Sequence, residues 1–329
     1  MPKFEAFDVP NGDGWQLRVS RCTDRVALDK RRRPLLIVPG YGMNSHIFGY
    51  HPRGPSLMGY LAARGFEVWT ADLRAQGEAR SAGGSRHYQF DDIACTDLPA
   101  VIDEIRRQTA STADRVDLIG CSLGGSYVCI YMALVPGASD VVGSIVAIGT
   151  PLRWSALHPV LKLVTRAPWL IGKIPTTGTR RIAPHVLPIL AKFPKLIGVY
   201  LHPDHVDLSR PAELTRTVED PSPRVNRQLA AWMRDGDLQI RGVNISEAMR
   251  RVDRPLLVVL ANADGIVPEA TAMSARELFG SRRRDVLRVG TEALRFAHAD
   301  LFISDHAQEL VFEPMARWLI ARDQEVEQA

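Results

Sequence analysis

The sequence predicts an α/β fold: a mostly parallel sheet of about eight strands, covered by helices and interrupted by an inserted helical cap. Two observations carry this expectation. Short runs rich in Val, Ile and Leu alternate with longer segments of helical periodicity, as in strands buried on both faces of a parallel sheet. The alternation then stops between Thr150 and about Arg254, a proline-rich stretch with short apolar pieces and no convincing strand.

The chain opens with FEAFDV and WQLRVSRC, which flank the turn sequence Asn11-Gly12-Asp13-Gly14 and predict a β-hairpin. Strand-like runs follow at 34–40, 66–73, 115–122, 141–149, 255–262 and 285–290. Helical patterns occupy 97–108 and 122–134. The final helix is expected near 307–322, with Pro314 marking a break or bend because proline cannot donate a backbone N–H. In the interrupted stretch, HPVLKLV, WLIGKI, HVLPILAKF and LIGVYL are short apolar helical pieces. The expected division is therefore a core of 1–150 and 251–329, with a cap of 151–250 over the C-terminal edge of the sheet.

The 329 residues are 46% hydrophobic and 24% charged, enough for a sizeable core. A formal charge of +4 is a mild basic excess. The basic runs Lys30–Arg33 and Arg282–Arg284 stand just before strand-like stretches, where solvated loops are expected. No aromatics interleave with them, which argues against nucleic-acid binding. The N-terminus shows no apolar h-region, and the apolar stretches are too short to span a bilayer. Cys22, Cys95, Cys121 and Cys129 show no paired spacing, which suits reduced thiols in a cytoplasmic setting rather than disulfides or a zinc site. His202-Pro203-Asp204-His205 is a poor metal pair, since proline and adjacency oppose shared coordination. Neither metal nor cofactor is expected.

IGCSLGGS, residues 119–126, holds the chemistry. Gly120-Cys121-Ser122-Leu123-Gly124 reads G-x-S-x-G after a strand and at the start of a helix, the context of a nucleophile elbow. The abrupt turn strains the central residue, and side chains two positions before or after it would collide with backbone. Hence Gly120 and Gly124 flank an exposed Ser122. Cys121 is expected to point into packing, and Ser126, one turn deeper, to be a small residue at a close helix–sheet contact.

A serine hydroxyl needs a base and an orienting acid, each expected after a later strand. PLLVVLANADGIVP delivers Asp264 in a loop, and DVLRVGTEALRFAHADLF delivers His298 before the last helix. Asp235 and Asp237 are more distant acids, and Asp300 is too near His298 in sequence to reach behind its ring. Asp300 is instead expected to cap the following helix; His306, near that helix start, is a weaker base. Two backbone N–H groups should face the developing oxyanion. One is that of Leu123; the other is that of Tyr41 in the loop VPGYGMNSHIF.

These segments resemble the α/β-hydrolase superfamily over most of the chain, in its serine esterase and lipase-like members. VPGYG is similar to the oxyanion loop, GCSLGG to the elbow, NADGIVP to the acid loop and FAHADLF to the histidine loop. Pro39 stands where many members have histidine, which leaves the backbone donor intact. LAARGFEVWTADLRAQG and FDDIACTDLPAVIDEI are similar to acid-lipase-type and polyhydroxyalkanoate-synthase-like members. The synthases carry cysteine at the apex, whereas here Ser122 holds it and Cys121 stands one place earlier. The expectation is a hydrolase of small hydrophobic carboxylic esters. Acyl transfer, amide or thioester cleavage would use the same three residues, and a non-catalytic binding protein is the alternative of another class.

Overall fold

The computed structural model describes residues 2–159, 162 and 178–327. In chain order its strands are β1 (Pro2–Pro10), β2 (Trp15–Asp24), β3 (Leu35–Val38), β4 (Val68–Asp72), β5 (Arg80–Ser81), β6 (Val116–Cys121) and β7 (Val142–Ile148). They continue with β8 (Gln239–Ile240), β9 (Val243–Asn244), β10 (Leu256–Ala261) and β11 (Arg284–Val289). The main sheet runs β1-β2-β4-β3-β6-β7-β10-β11, with the short β5 paired to β2. From β4 to β11 every neighbour is parallel, while β2 is antiparallel to both β1 and β4.

The opening hairpin forms as expected. The Asn11 carboxamide oxygen accepts from the backbone N–H of Asp13 at 2.8 Å and of Trp15 at 3.1 Å, and Gly12 and Gly14 adopt φ of 77° and 73°. Strands β3, β4, β6 and β10 are buried at every position, which is why they read as unbroken apolar runs. After β3 the chain moves to one side for β4, then crosses to the other side of β3 for β6. That reversal opens a crevice beyond the carboxyl ends of β3 and β6.

Helices α1 (Leu57–Ala63), α2 (Leu98–Gln108) and α3 (Leu123–Leu134) precede α4 (Thr179–Leu190), α5 (Pro223–Asp235) and α6 (Glu313–Glu327). Leu57 and Leu61 of α1 share one apolar layer with Met315 and Leu319 of α6. Val101 and Ile105 of α2 join Tyr127 and Val128 of α3 in the other. The bend expected at Pro314 is a π turn over Gln308–Phe312, directly before α6. Pro314 then lies in the first turn of α6, where no N–H partner is required.

Among the described residues, two arginine–carboxylate pairs are buried. Arg74, in the loop after β4, meets Asp97 at 2.8 Å through Nη2, and the Asn11 side chain donates to the same carboxylate at 2.7 Å. Arg33 donates from Nε to Asp117 of β6 at 2.8 Å. This corrects the expectation of a fully solvated basic run, because Arg33 is only 7% exposed. Its role as counter-charge to a buried carboxylate has no local sequence signal.

Between β7 and β10 the described residues include α4, α5 and the antiparallel pair β8–β9. This hairpin corrects the expectation of no strand there. Arg241 and Gly242, at φ of 50° and 78°, make its two-residue turn, and its strands are too short to leave a periodic pattern. The pieces HPVLKLV and WLIGKI fall mostly or wholly outside the described residues. Among the described residues no helix is long and apolar enough to cross a membrane.

Candidate active site

Ser122 sits between β6 and α3 with φ 53° and ψ −125°, a conformation that costs a non-glycine residue on the order of 1–3 kcal/mol. Its N–H donates to the Ile148 carbonyl at 2.7 Å, tying the turn to the end of β7. The glycines are needed for the steric reason expected. A Cβ on Gly120 would lie 2.2 Å from Gly125 Cα, and one on Gly124 would lie 2.2 Å from the Val38 carbonyl oxygen.

The other two candidates in this stretch are enclosed. Cys121 is fully buried, and burial pushes its thiol well above the ordinary cysteine range. Ser126 is also buried, and its hydroxyl donates to the Pro151 carbonyl at 2.6 Å. It is more than a small spacer: it fastens α3 to the loop leaving β7.

His298 and Asp264 meet as the sequence suggests. His298 Nδ1 lies 2.6 Å from Asp264 Oδ2, with the two residues 7% and 8% exposed. The other carboxylate oxygen accepts from the N–H groups of Ile266 and Val267, each at 2.8 Å, so the acid is fixed before it touches the ring. Nε2 is the ring nitrogen on the side away from the carboxylate. Gly149, with φ 52°, backs this pair; a Cβ there would come within 2.9 Å of His298 Cε1. Gly149 was not singled out by sequence, although a glycine directly after an apolar strand was the available signal.

The competing groups are engaged elsewhere. Asp235 pairs with Arg234 at 2.7 Å and Asp237 with Arg153 at 2.6 Å. Asp300 does not cap the following helix: its carboxylate accepts from the backbone N–H of Ala297 at 2.7 Å and of His202 at 3.0 Å, bracing the loop that carries His298. His205 has Nδ1 on Ser304 Oγ and Nε2 on the Arg295 carbonyl, both at 2.9 Å, so neither nitrogen is open to a metal shared with His202. His306 packs edge-on against His205.

Ser122, Leu123, Tyr41 and His298 line one cavity of about 320 Å³ whose remaining walls are largely apolar, among them Trp154, Leu229, Met233 and Ile266. Gly40 brings the loop after β3 against the elbow: a Cβ there would lie 3.0 Å from Ser122 Cβ and 3.1 Å from the Leu123 nitrogen. The Tyr41 hydroxyl donates to Asn226 Oδ1 of α5 at 2.6 Å, and burial pushes this phenol up to about 12, so it stays a neutral donor.

A clamp that sequence reading missed holds the same loop. Met43 bridges Val218, the Glu219 N–H donates to the Gly42 carbonyl at 2.8 Å, and the Asn44 N–H donates to the Thr217 carbonyl at 2.9 Å. The buried Glu219 carboxylate accepts from Asn44 Nδ2 at 2.6 Å and from the Gly77 N–H at 2.8 Å. The partners lie 142 and 175 residues from Glu219, so no local pattern announces them.

A strand-turn serine, a carboxylate-held histidine and an eight-stranded path of mostly parallel strands define the arrangement. A family profile described as the alpha/beta hydrolase fold matches residues 33–291. The chain belongs to the alpha/beta hydrolase fold family. Among curated proteins, triacylglycerol lipase 2 of Arabidopsis thaliana is 29% identical over 134 residues, covering 37% of this α/β-hydrolase chain. The match takes in 31% of the plant protein, so the shared region is about a third of its length.

Solved structures share the α/β-hydrolase fold at low identity. A putative lipase from Acinetobacter baumannii superposes with a TM-score of 0.60 at 15% identity, over 98% of this chain and 93% of its own. A 2-hydroxy-6-oxo-6-phenylhexa-2,4-dienoate hydrolase from Rhodococcus gives 0.64 at 15%, over 98% and 100%. A monoacylglycerol lipase from Paleococcus ferrophilus gives 0.60 at 17%, over 93% and 99%.

Proposed function

We propose that the protein is a serine hydrolase of carboxylic esters, working through an acyl-enzyme on Ser122. The observation that carries the proposal is that His298, held by Asp264 at 2.6 Å, lines the same cavity as the elbow serine. In this reading His298 Nε2 accepts the Ser122 proton as Oγ attacks the ester carbonyl carbon. It returns that proton to the departing alcohol oxygen as the carbon–oxygen bond breaks. Water, activated by the same nitrogen, then cleaves the acyl-enzyme. Asp264 holds the ring tautomer and stabilises the imidazolium that forms.

The backbone N–H groups of Leu123 and Tyr41 serve as the oxyanion donors, a role in which a single donor is worth roughly 3–4 kcal/mol. Gly40 supports that role by seating the Tyr41 loop against the elbow. The insertion 151–250 acts as a cap, with α5 giving the cavity Leu229 and Met233. Those walls favour a hydrophobic acyl group.

Labelling with a fluorophosphonate followed by peptide mapping tests the assignment, with modification expected at Ser122 alone. Ser122→Ala should lose ester turnover by about 10³-fold or more. Unimpaired turnover in that variant, or labelling elsewhere, would reject the proposal.

A further inference from the structure

A second apolar cavity, of about 280 Å³, lies beneath α4. Val186, Leu187 and Leu190 of α4 form one side, and Ile47, Leu214 and Ile303 the other. Tyr200, Thr217 and Val218 line both this groove and the cavity in front of Ser122, so the two spaces meet at three side chains. The Tyr200 ring stands 6.3 Å from that of His298, and Ala299, the next residue, also lines the groove. The groove therefore adjoins the imidazole side of the site.

Its roof is lightly held. No residue of α4 is buried, and Pro184 and Pro188 within it cannot donate the backbone hydrogen bonds of a continuous helix. The segments on either side are fastened more firmly. The Tyr200 carbonyl accepts from the Ala299 N–H at 2.8 Å, and residues 217–219 are clamped to the loop after β3. The roof can adjust to a guest while the segments that carry Tyr200, Thr217 and Val218 stay in place.

Reaction geometry selects the guest. When Ser122 Oγ bonds to the carbonyl carbon, the breaking bond leaves its electron pair on the alcohol oxygen. That oxygen must lie within reach of His298 to receive the proton taken from Ser122. The alcohol portion thus departs on the imidazole side, towards Tyr200 and Ala299, while the acyl portion lies along Leu229 and Met233 of α5.

We propose that the groove under α4 is the leaving-group subsite and takes a hydrocarbon chain, which makes the substrate an ester of an apolar chain alcohol. This rests on the ester-hydrolase reading of Ser122. The chemistry needed is burial of methylene groups against Val186, Leu187 and Ile303.

Hydrolysis of ethyl acetate, octyl acetate and ethyl octanoate by the full chain, followed by titration of released acid, provides the test. The wild type should prefer octyl acetate to ethyl acetate in kcat/KM. Ala183→Trp and Leu187→Trp, which fill the groove, should lower that ratio about tenfold or more without lowering the ratio of ethyl octanoate to ethyl acetate. Ile189→Ser, on the exposed side of the same helix, should move neither ratio. Loss of the ethyl octanoate preference instead would assign the groove to the acyl chain and overturn the proposal. Unchanged ratios in both Trp variants would also overturn it. If Ser122→Ala retained turnover of all three esters, the function reading itself would fall; Ser122-dependent turnover with unmoved ratios would remove the subsite alone.

Discussion

At the scale of single residues, the site depends on positions that tolerate no added atom. Gly149 is the sharpest case, because a methyl group there meets the His298 ring at 2.9 Å in a backbone conformation with φ 52°. Gly149→Ala should lower kcat for ester hydrolysis by about 10- to 100-fold through displacement of the imidazole, with a smaller change in KM. Circular dichroism should show the fold retained. An unaltered kcat would mean that the ring position does not depend on this contact. The turn at Ser122 and the meeting of Asp264 with His298 were readable because each residue follows an apolar strand in a fixed order. Gly149 was not, since nothing in a glycine after a strand tells which side chain approaches it. Asp300 shows the same limit: its hydrogen bond to the His202 N–H spans 98 residues, and only the assembled fold brings them together.

At the scale of elements, the strands were legible within a residue or two because burial on both faces leaves unbroken apolar runs in β3, β4, β6 and β10. The two-residue strands β5, β8 and β9 were not, being shorter than any period they could display. What fastens elements to one another was hidden as well. Asp97 closes the π turn before α2 and holds Arg74 from the loop after β4, with both side chains almost wholly enclosed. Among the described residues, Asp97→Ala would leave the guanidinium with the exposed Asp13 as its remaining carboxylate. A loss of about 3–5 kcal/mol in urea unfolding is expected, as when one partner of a buried pair is removed. A loss below ~1 kcal/mol would show that water or Asp13 replaces the carboxylate readily.

At the scale of the whole molecule, the phenols report how closed the fold is. Burial pushes Tyr88 and Tyr131 up to about 12, and it also holds Tyr127 well above the ordinary range. In the unfolded chain the same groups ionise near the ordinary value of about 10. The folded state thus keeps protons that the unfolded state gives up. Their contribution to stability is complete below pH ~10 and is lost as pH rises towards ~12. Titration followed by phenolate absorbance should show a delayed group of tyrosines that ionises together with loss of the fold. Ionisation of all seven near the ordinary value in folded protein would contradict this closed arrangement.

The strained backbone at Ser122 also bears on molecular stability. Glycine at the apex would relieve most of the unfavourable φ while adding freedom to the unfolded chain. Ser122→Gly should therefore be more stable than the parent by about 1 kcal/mol, melting a degree or two higher. Under drift without a demand for turnover, thermal robustness would favour replacing this serine, the proposed nucleophile. An inactive descendant of this chain would then be recognisable by its greater heat resistance as well as by its missing hydroxyl.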